Sequence, residues 1–226
     1  YFCVAKKSND IAKAVIAARR LKIPFFILGT GSNVLAPDNG FPGLVIKIQN
    51  TAYKIPLDSA RGKQTTRVWA EAGVSMSTLV RETGKRGLAG LEWAGGLPGT
   101  VGGAVRGNAG AFGGEIKDAI TQVEALDGKG KRRTFSLKEC QFGYRSSVFK
   151  KKNLVVLSAA FALEKGNKKE IQAVAKDHIR YRKERHPLEY PNAGSIFKNC
   201  DLKKVPKALR KEMKDVIKVD PFPVIP

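Results

Sequence analysis

The chain has 226 residues, of which 42% are hydrophobic, and it carries a formal net charge of +21. This apolar content is enough for a packed core and excludes a wholly disordered chain, and the length fits one large domain or two small ones. No apolar run is long enough to cross a bilayer. The three cysteines are far apart and form no CxxC, so neither a disulfide framework nor a metal site is expected, and a reducing cytoplasmic compartment fits best.

The first third of the chain predicts a small α/β unit. Ser8 is the expected N-cap of a helix that runs to about Leu21. The apolar face of this helix consists of Ile11, Val15 and Ala18. Short apolar strands are expected at 25–28 and 44–48, and strand, helix and strand at this spacing favour an α/β arrangement.

A second unit is expected to begin near Arg67, after the polar stretch of residues 58–66, and apolar periodicity predicts further strands and helices there. The elements expected there are a strand at 68–72, a helix at 75–86 with Met76, Leu79 and Val80 inward, a hairpin of 123–126 and 133–137 around Asp127-Gly128, a strand at 154–163 and a charged helix at 168–185. The last helix ends before Pro187, because the residue preceding a proline disfavours the helical conformation.

A glycine-rich loop directly follows the predicted strand at 25–28. Its residues are Gly29, Thr30, Gly31, Ser32 and Asn33. Consecutive backbone N–H groups in such a turn can form an anion-binding concavity, and the glycines let a diphosphate approach the backbone. The loop lacks the GxGxxG spacing of the Rossmann fingerprint, and an ordinary strand-to-loop turn is the alternative interpretation.

A second glycine-rich stretch covers residues 95–104 and is followed closely by 107–111. Two separate glycine loops suit a long ligand such as FAD, because its diphosphate and its ring system need backbone contact at different points. Tight packing of turns is the alternative, and Asn108 could simply be a left-handed turn residue.

Two short polar clusters carry the candidate chemistry. One contains Arg145, whose planar guanidinium matches a carboxylate, although a surface ion pair is the alternative. The other covers residues 192–199 and contains Ser195. No histidine stands at a triad spacing, which makes Ser195 a poor nucleophile, but its hydroxyl can protonate a developing carbanion. A turn or N-cap serine is the alternative interpretation of Ser195.

The order of five motifs resembles the UDP-N-acetylenolpyruvoylglucosamine reductase family, the MurB-type flavoenzymes. These motifs are ILGTGSN, AGGLPGTVGGAV, GNAGAFGGEI, FGYRSSVF and NAGSIFKN, and the match runs through nearly the whole chain. The resemblance implies an α+β fold, the FAD-binding fold of the vanillyl-alcohol-oxidase/PCMH type. Two FAD-binding subdomains are expected at 1–57 and 58–166, followed at 167–226 by a linker helix and the start of a substrate-binding domain.

The resemblance also implies an activity in peptidoglycan precursor synthesis. FAD, bound noncovalently, and NADPH as co-substrate would reduce the enolpyruvyl ether of UDP-N-acetylglucosamine to the lactyl ether of UDP-N-acetylmuramate. Both glycine stretches would bind FAD. The residues that match the family's cofactor contacts in the second stretch are Pro98, Gly99, Gly102, Gly103, Asn108, Ala109 and Gly110. Arg145 matches the catalytic arginine that stabilises negative charge beside the substrate carboxylate, and Ser195 matches the serine that protonates the carbon. Arg185 and Asn199 fall where the family contacts its substrate.

The chain departs from the family at both ends. The family has a segment before Tyr1 and a longer substrate domain after Pro226, which carries a catalytic glutamate. None of Glu212, Asp215 and Asp220 matches that glutamate. The chain is therefore expected to be a fragment that binds FAD weakly or not at all and that turns over poorly, because the expected glutamate is absent.

Two rival functions stay open. One is another FAD-dependent carbohydrate oxidoreductase of the same fold. Many of those attach flavin through a histidine, but the first histidine here is His178, and it and His186 are expected in solvent. The other is a noncatalytic nucleic-acid-binding module, suggested by the net charge. Because the basic residues are dispersed and no stacking aromatics are interleaved with them, a solvated surface that steers small anions is favoured instead.

Overall fold

The computed structural model describes residues 1–56, 64–127, 129–187, 189–190, 192–195, 197–216 and 224–225. The chain forms two compact units, Tyr1–Asn192 and Ala193–Pro226. The subdomain boundaries predicted at 57/58 and 166/167 stay predictions, and the first of them lies outside the described residues. None of the described helices is long and apolar enough to cross a membrane.

The first elements build a three-stranded parallel sheet with one helix on it. They are β1 (Phe2–Ala5), α1 (Ser8–Arg20), β2 (Phe25–Leu28) and β3 (Leu44–Ile48). Strand β3 is central and runs parallel to both neighbours. The predicted inward face of α1, Ile11, Val15 and Ala18, is fully buried. The predicted α/β unit is confirmed, and β1 is a third strand that the sequence interpretation missed.

Helix α1 begins at Ser8 instead of being capped by it, so that prediction is wrong. The residue before the helix is Lys7, whose backbone N–H donates to the Asp10 carboxylate at 3.0 Å. The Ser8 hydroxyl instead donates to Glu71 at 3.0 Å and accepts from the Asn50 amide at 3.1 Å. Ser8 therefore helps to join α1 to the neighbouring sheet.

The following elements build a six-stranded antiparallel sheet with helices around it. In chain order they are β4 (Tyr53–Lys54), β5 (Thr65–Glu71), α2 (Met76–Lys85), β6 (Leu88–Ala89), α3 (Val101–Gly107), β7 (Gly110–Ala111), β8 (Gly114–Glu115), α4 (Ile116–Ala119), β9 (Ile120–Leu126), β10 (Arg132–Ser136), α5 (Leu137–Cys140), α6 (Val148–Lys151), β11 (Val155–Lys165) and α7 (Lys168–Arg185). A 3₁₀ turn, Glu92–Ala94, lies between β6 and α3. The strand order is β10-β9-β11-β5-β4, and β6 pairs with β11.

Most of the elements predicted in this region are confirmed, with shifted ends. Helix α7 has the predicted bounds, and Met76, Leu79 and Val80 of α2 are buried. The predicted hairpin is the β9–β10 pair, although Gly128 of its turn lies outside the described residues. Strand β11 pairs with both β5 and β9, and its first seven residues are all buried, as its continuous apolar sequence predicts for a central strand.

Residues 101–107 form helix α3 where a glycine loop was predicted. Two glycines lower the intrinsic helix propensity of this segment, but tertiary contacts decide its conformation. The Gly102 N–H donates to the Ala72 carbonyl at 2.9 Å, and the Thr100 hydroxyl caps the helix by accepting from the Gly103 N–H at 3.4 Å. A Cβ at Gly102 would lie 2.8 Å from the Ala72 Cβ. Glycine is therefore required there because the helix lies directly against the chain that follows β5.

Helix α2 carries an exposed cluster of charges. The Glu82 carboxylate forms ion pairs with Lys85 at 3.1 Å, Arg86 at 3.0 Å and Arg81 at 3.2 Å. Hydrogen bonds from Lys85, then Arg86 and Arg81, lower the pKa of Glu82 to about 2. This cluster stabilises the helix only while Glu82 is ionised.

The second compact unit has a short hairpin and one short helix among its described residues. Strand β12 (Cys200–Asp201) pairs antiparallel with β13 (Val224–Ile225), and α8 (Lys207–Glu212) lies between them in the chain. No residue of α8 is buried.

Candidate active site

The first glycine loop lies at the carboxyl end of the parallel sheet, directly after β2. Ligands of open parallel sheets bind at this edge. Gly31 has a left-handed backbone with φ of 81°, which favours glycine. Within the described ranges, the backbone N–H groups of residues 30–33 donate to no backbone carbonyl. A run of such donors in a loop is the arrangement that binds a phosphate or another anion.

The two glycine stretches meet in the folded chain. A Cβ at Gly29 would lie 2.9 Å from the Thr100 Oγ1, and a Cβ at Gly99 would lie 3.2 Å from the Ser32 Oγ. These contacts place residues 29–33 and 98–100 side by side, although they are far apart in sequence. The glycines allow this close approach, and the two loops together form one continuous backbone surface.

A lysine stands beside the first loop. The Lys47 ammonium on β3 donates to the Gly29 carbonyl at 2.5 Å. Lys47 pairs in register with Leu28, the residue that precedes the loop. It was not among the predicted site residues, although it is the single charged residue of the strand LVIKI.

The second stretch leads from the first loop to Arg145. Helix α3 begins beside the first loop and ends at Asn108, which has a left-handed backbone with φ of 45°. Two residues further on, the Gly110 carbonyl accepts a hydrogen bond from the Arg145 guanidinium at 2.8 Å. One segment therefore joins the predicted phosphate loop to the predicted catalytic arginine.

Asn108 is fully buried, and its side chain contacts three parts of the protein. Its amide group donates to Glu115 at 3.0 Å and to the Gly143 carbonyl at 3.1 Å, and its oxygen accepts from the Lys117 N–H at 3.0 Å. All polar atoms of this side chain thus have partners within the protein. The observed role of Asn108 is to tie the end of α3 to the segment that carries Arg145, and its predicted cofactor contact stays a prediction.

Arg145 lies in a tight turn. Gly143 and Ser146 exchange backbone hydrogen bonds of 3.0 Å in both directions across the turn. Arg145 has a left-handed backbone with φ of 52°, an uncommon conformation for arginine, and its guanidinium carbon lies 5.2 Å from the Tyr144 ring. The buried Ser147 anchors the far side by donating to the Arg106 carbonyl at 2.7 Å. This strained conformation sits in a well-anchored turn, as functional positions often do.

Arg145 retains the capacity to bind an anion. A guanidinium has five N–H donors, and the Gly110 carbonyl uses one of them. The residue is partly exposed, so a ligand can reach it. A bidentate contact with a carboxylate would therefore fit the remaining donors.

Helix α7 packs on the glycine-rich segment through His178, which was expected in solvent. Its ring stacks on Phe112 with centroids 4.0 Å apart, and Nδ1 donates to the Glu92 carbonyl at 2.9 Å. The expectation of a solvated His178 is wrong, because the residue anchors the helix. Arg185 is exposed at the end of α7, with its guanidinium carbon 4.8 Å from the Tyr181 ring.

Ser195 and Asn199 belong to the second compact unit, whereas Arg145, Arg185 and both glycine stretches belong to the first. Both residues are exposed. The roles predicted for Ser195 as proton donor and for Asn199 as substrate contact stay predictions.

Known proteins resemble this chain in sequence and in structure. Residues 1–136 match the family described as FAD binding domain. The UDP-N-acetylenolpyruvoylglucosamine reductase of Caldanaerobacter subterraneus subsp. tengcongensis is 40% identical over 190 residues, which are 84% of this chain and 61% of that protein. The crystal structure of the corresponding MurB reductase from Thermus caldophilus superposes with a TM-score of 0.71 at 29% identity, over 96% of this chain and 73% of that one.

A structure described as a solvent-stable cholesterol oxidase also matches, with a TM-score of 0.59 at 17% identity over 72% of this chain and 34% of that one. This likeness supports the fold alone. The fold and the family match together define a flavoprotein domain and confirm the predicted α+β FAD-binding architecture. The chain belongs to the FAD binding domain family and, within it, to the MurB-type flavoproteins. It spans about 61% of the length of the curated relative described above.

Proposed function

We propose that the protein is a flavin-dependent reductase that acts in the cytoplasm and uses NADPH to convert UDP-N-acetylglucosamine enolpyruvate to UDP-N-acetylmuramate. One observation carries this proposal. The segment of residues 98–110 contacts the first glycine loop at one end, through Gly99, and Arg145 at the other end, through Gly110. This connection supports the proposal, because the loop proposed to bind phosphate and the arginine proposed to bind a carboxylate contact the same segment.

The residues of the first loop fit the diphosphate of FAD. The N–H groups of residues 30–33 have no backbone acceptor in the part of the chain that the structure describes, and their loop follows a parallel strand. The second stretch contributes less donor capacity, because the Val101 and Gly102 N–H groups already donate to carbonyls at 2.8 and 2.9 Å. We therefore assign the diphosphate mainly to residues 29–33, and the rest of the cofactor to the surface of residues 98–103, Ala109 and Gly110. The cofactor, when bound, supplies the hydride for the reduction.

Arg145 stabilises the negative charge that develops during this reduction. Hydride addition to the terminal carbon of the enolpyruvyl group places charge on the neighbouring carbon and its carboxylate. A fixed guanidinium aimed at that carboxylate favours the charged transition state over the neutral double bond. The Gly110 carbonyl and the tight turn hold Arg145 in place, so little reorganisation is needed during the reaction.

Ser195 donates the proton that completes the reduction. Its hydroxyl is exposed, and general acid catalysis needs only that the donor reach the carbon. Arg185 and Asn199 would contact the UDP part of the substrate. Two observations support these roles: the five sequence motifs, and the similarity of this chain to proteins named as UDP-N-acetylenolpyruvoylglucosamine reductases.

NADPH is the proposed source of electrons, and no nucleic acid is proposed as a partner. Both the substrate and NADPH are polyanions, and the net charge of +21 would favour their approach electrostatically. A dispersed basic surface serves this steering without a dedicated nucleic-acid groove.

The test uses the intact protein under anaerobic conditions. NADPH should bleach the flavin absorbance, and UDP-N-acetylglucosamine enolpyruvate should restore it. The product should be heavier than the substrate by two hydrogens in mass spectrometry. Bleaching by NADPH without recovery on addition of this substrate would overturn the proposed substrate, and absence of bleaching would overturn NADPH as the electron donor.

A further inference from the structure

Lys47 occupies an unusual place for a charged residue. It lies on β3, the central strand of the parallel sheet, between the buried residues Ile46 and Ile48. Because successive side chains of a strand point to opposite faces, Lys47 points away from the face that packs in the core with α1. It is one residue from the carboxyl end of the strand, and Gly29 follows the carboxyl end of β2. The ammonium group therefore reaches the edge of the sheet where the glycine loop begins.

Within the described ranges, this ammonium group has no protein counter-ion. Among the described residues, no carboxylate forms an ion pair with Lys47. The Gly29 carbonyl accepts one hydrogen bond at 2.5 Å, and an ammonium group has three donors. A partly buried cation is unfavourable unless an anion or other acceptors compensate its lost hydration. The site thus lacks one negative charge.

The backbone next to Lys47 also has donors without an acceptor in the described part of the chain. The N–H groups of residues 30–33 begin one residue after the carbonyl that Lys47 contacts, and they donate to no backbone carbonyl within the described ranges. Thr100 closes the other side of Gly29. An ammonium group without a carboxylate partner and a run of N–H groups without backbone acceptors, both at one loop of the described chain, favour an anionic ligand, and a diphosphate supplies several acceptor oxygens close together.

We propose that Lys47 is a further cofactor-binding residue, whose ammonium group pairs with the diphosphate of the dinucleotide held by residues 29–33. This inference rests on the proposed function, since that function supplies the cofactor. The competing interpretation is that Lys47 only tethers the loop through the Gly29 carbonyl. The two differ in what happens to the protein without cofactor. A tether stabilises the empty protein, whereas an unpaired cation does not.

The experiment compares Lys47→Gln, Lys47→Arg and the control Lys13→Gln in the intact protein freed of flavin. Lys13 is exposed on α1, so its substitution makes the same charge change away from the loop. FAD affinity is measured by quenching of flavin fluorescence, and the stability of the empty protein by urea unfolding. Loss of a charge-assisted phosphate contact should weaken FAD binding about tenfold or more. Lys47→Arg should restore affinity to within about threefold, because the charge remains.

In the expected result, Lys47→Gln loses FAD affinity while the empty protein unfolds at the same urea concentration as Lys13→Gln. An FAD affinity of Lys47→Gln equal to that of Lys13→Gln would overturn the proposal. A urea midpoint of the empty Lys47→Gln protein below that of Lys13→Gln would overturn it as well, and would support the interpretation that Lys47 only tethers the loop. If the unmutated, folded protein takes up no FAD, the proposed function itself is wrong. This result can be told apart from the other two, because both of those concern only the Lys47→Gln variant.

Discussion

Substitution of Asn108 offers the sharpest test of how the region around Arg145 is held together, because the Asn108 side chain joins three segments there. Replacement by glycine keeps the left-handed backbone and removes all three side-chain hydrogen bonds. Replacement by alanine removes the same bonds and also places a Cβ in the left-handed region. The two variants therefore separate the hydrogen bonds from the backbone strain.

The expected losses can be estimated from the contacts. Each lost hydrogen bond should lower the free energy of unfolding by about 1 kcal/mol, the lower end of the range for buried polar groups. The lower end applies because two of the partner residues, Gly143 and Lys117, are partly accessible to solvent. Three bonds give about 3 kcal/mol for Asn108→Gly. Alanine in the left-handed region adds about 1–2 kcal/mol, so Asn108→Ala should lose about 4–5 kcal/mol.

The matched control is Asn153, which also has a left-handed backbone, with φ of 49°, but an exposed side chain. Asn153→Gly should change stability by no more than about 0.5 kcal/mol, as surface substitutions usually do. Urea unfolding of all variants at equal flavin content gives the free energies. If Asn108→Gly were as stable as Asn153→Gly, the three side-chain bonds would contribute nothing and the assigned role of Asn108 would be wrong.

Three further predictions test other parts of the molecule. Gly102→Ala should destabilise the protein by about 1–3 kcal/mol in urea unfolding, and adding Ala72→Gly should restore part of the loss, because the two Cβ positions overlap. Glu82→Gln should lower the melting temperature at pH 7. Since the folded pKa of Glu82 is lowered from 4.5 to about 2, this difference from the unmutated protein should shrink as the pH falls through that interval and vanish below it. Ser195→Ala should leave flavin reduction by NADPH intact and slow reoxidation by substrate about 10²–10⁴-fold in stopped-flow absorbance. Arg145→Lys should also slow reoxidation, because an ammonium cannot form the bidentate contact, and a reoxidation rate equal to that of the unmutated protein in either variant would remove that residue from the mechanism.

The spacing of apolar side chains was sufficient to predict helices with one buried face and strands that are buried along their length. The apolar face of α1 and the run that forms β11 follow from side-chain spacing. The end of α7 follows from Pro187. Strand β1 was missed because its four residues, FCVA, are too short to show a period. Its place in the sheet depends on pairing with β3, a contact between segments more than 40 residues apart, as Phe2 with Val45.

Helix α3 and the contacts of the site show why local rules fail there. The sequence VGGAVRG has weak helix propensity, and its conformation depends on hydrogen bonds to residues before α2. Glycine density correctly indicated close backbone approach, but at Gly102 the approaching group is Ala72 of the same chain. For Asn108, a left-handed turn residue was the alternative interpretation, and the structure has that conformation.

Lys47 could have been noticed from its strand. A single lysine in an apolar central strand contradicts the local pattern, and such violations concentrate at functional sites. What the sequence could not provide is the partner, since the contact with Gly29 depends on the parallel register of β2 and β3.

The most direct test of the central claim is the identity of the flavin in the protein purified after expression from its complete reading frame. The protein is denatured, the polypeptide is removed, and the released chromophore is identified by chromatography and quantified by absorbance. We expect FAD, released without covalent attachment, at about one per chain when the apoprotein is first saturated and gel-filtered. A folded protein that retains no FAD after saturation, or a flavin that stays attached to the denatured chain, would contradict the assignment of residues 29–33 and 98–110 as a noncovalent FAD site.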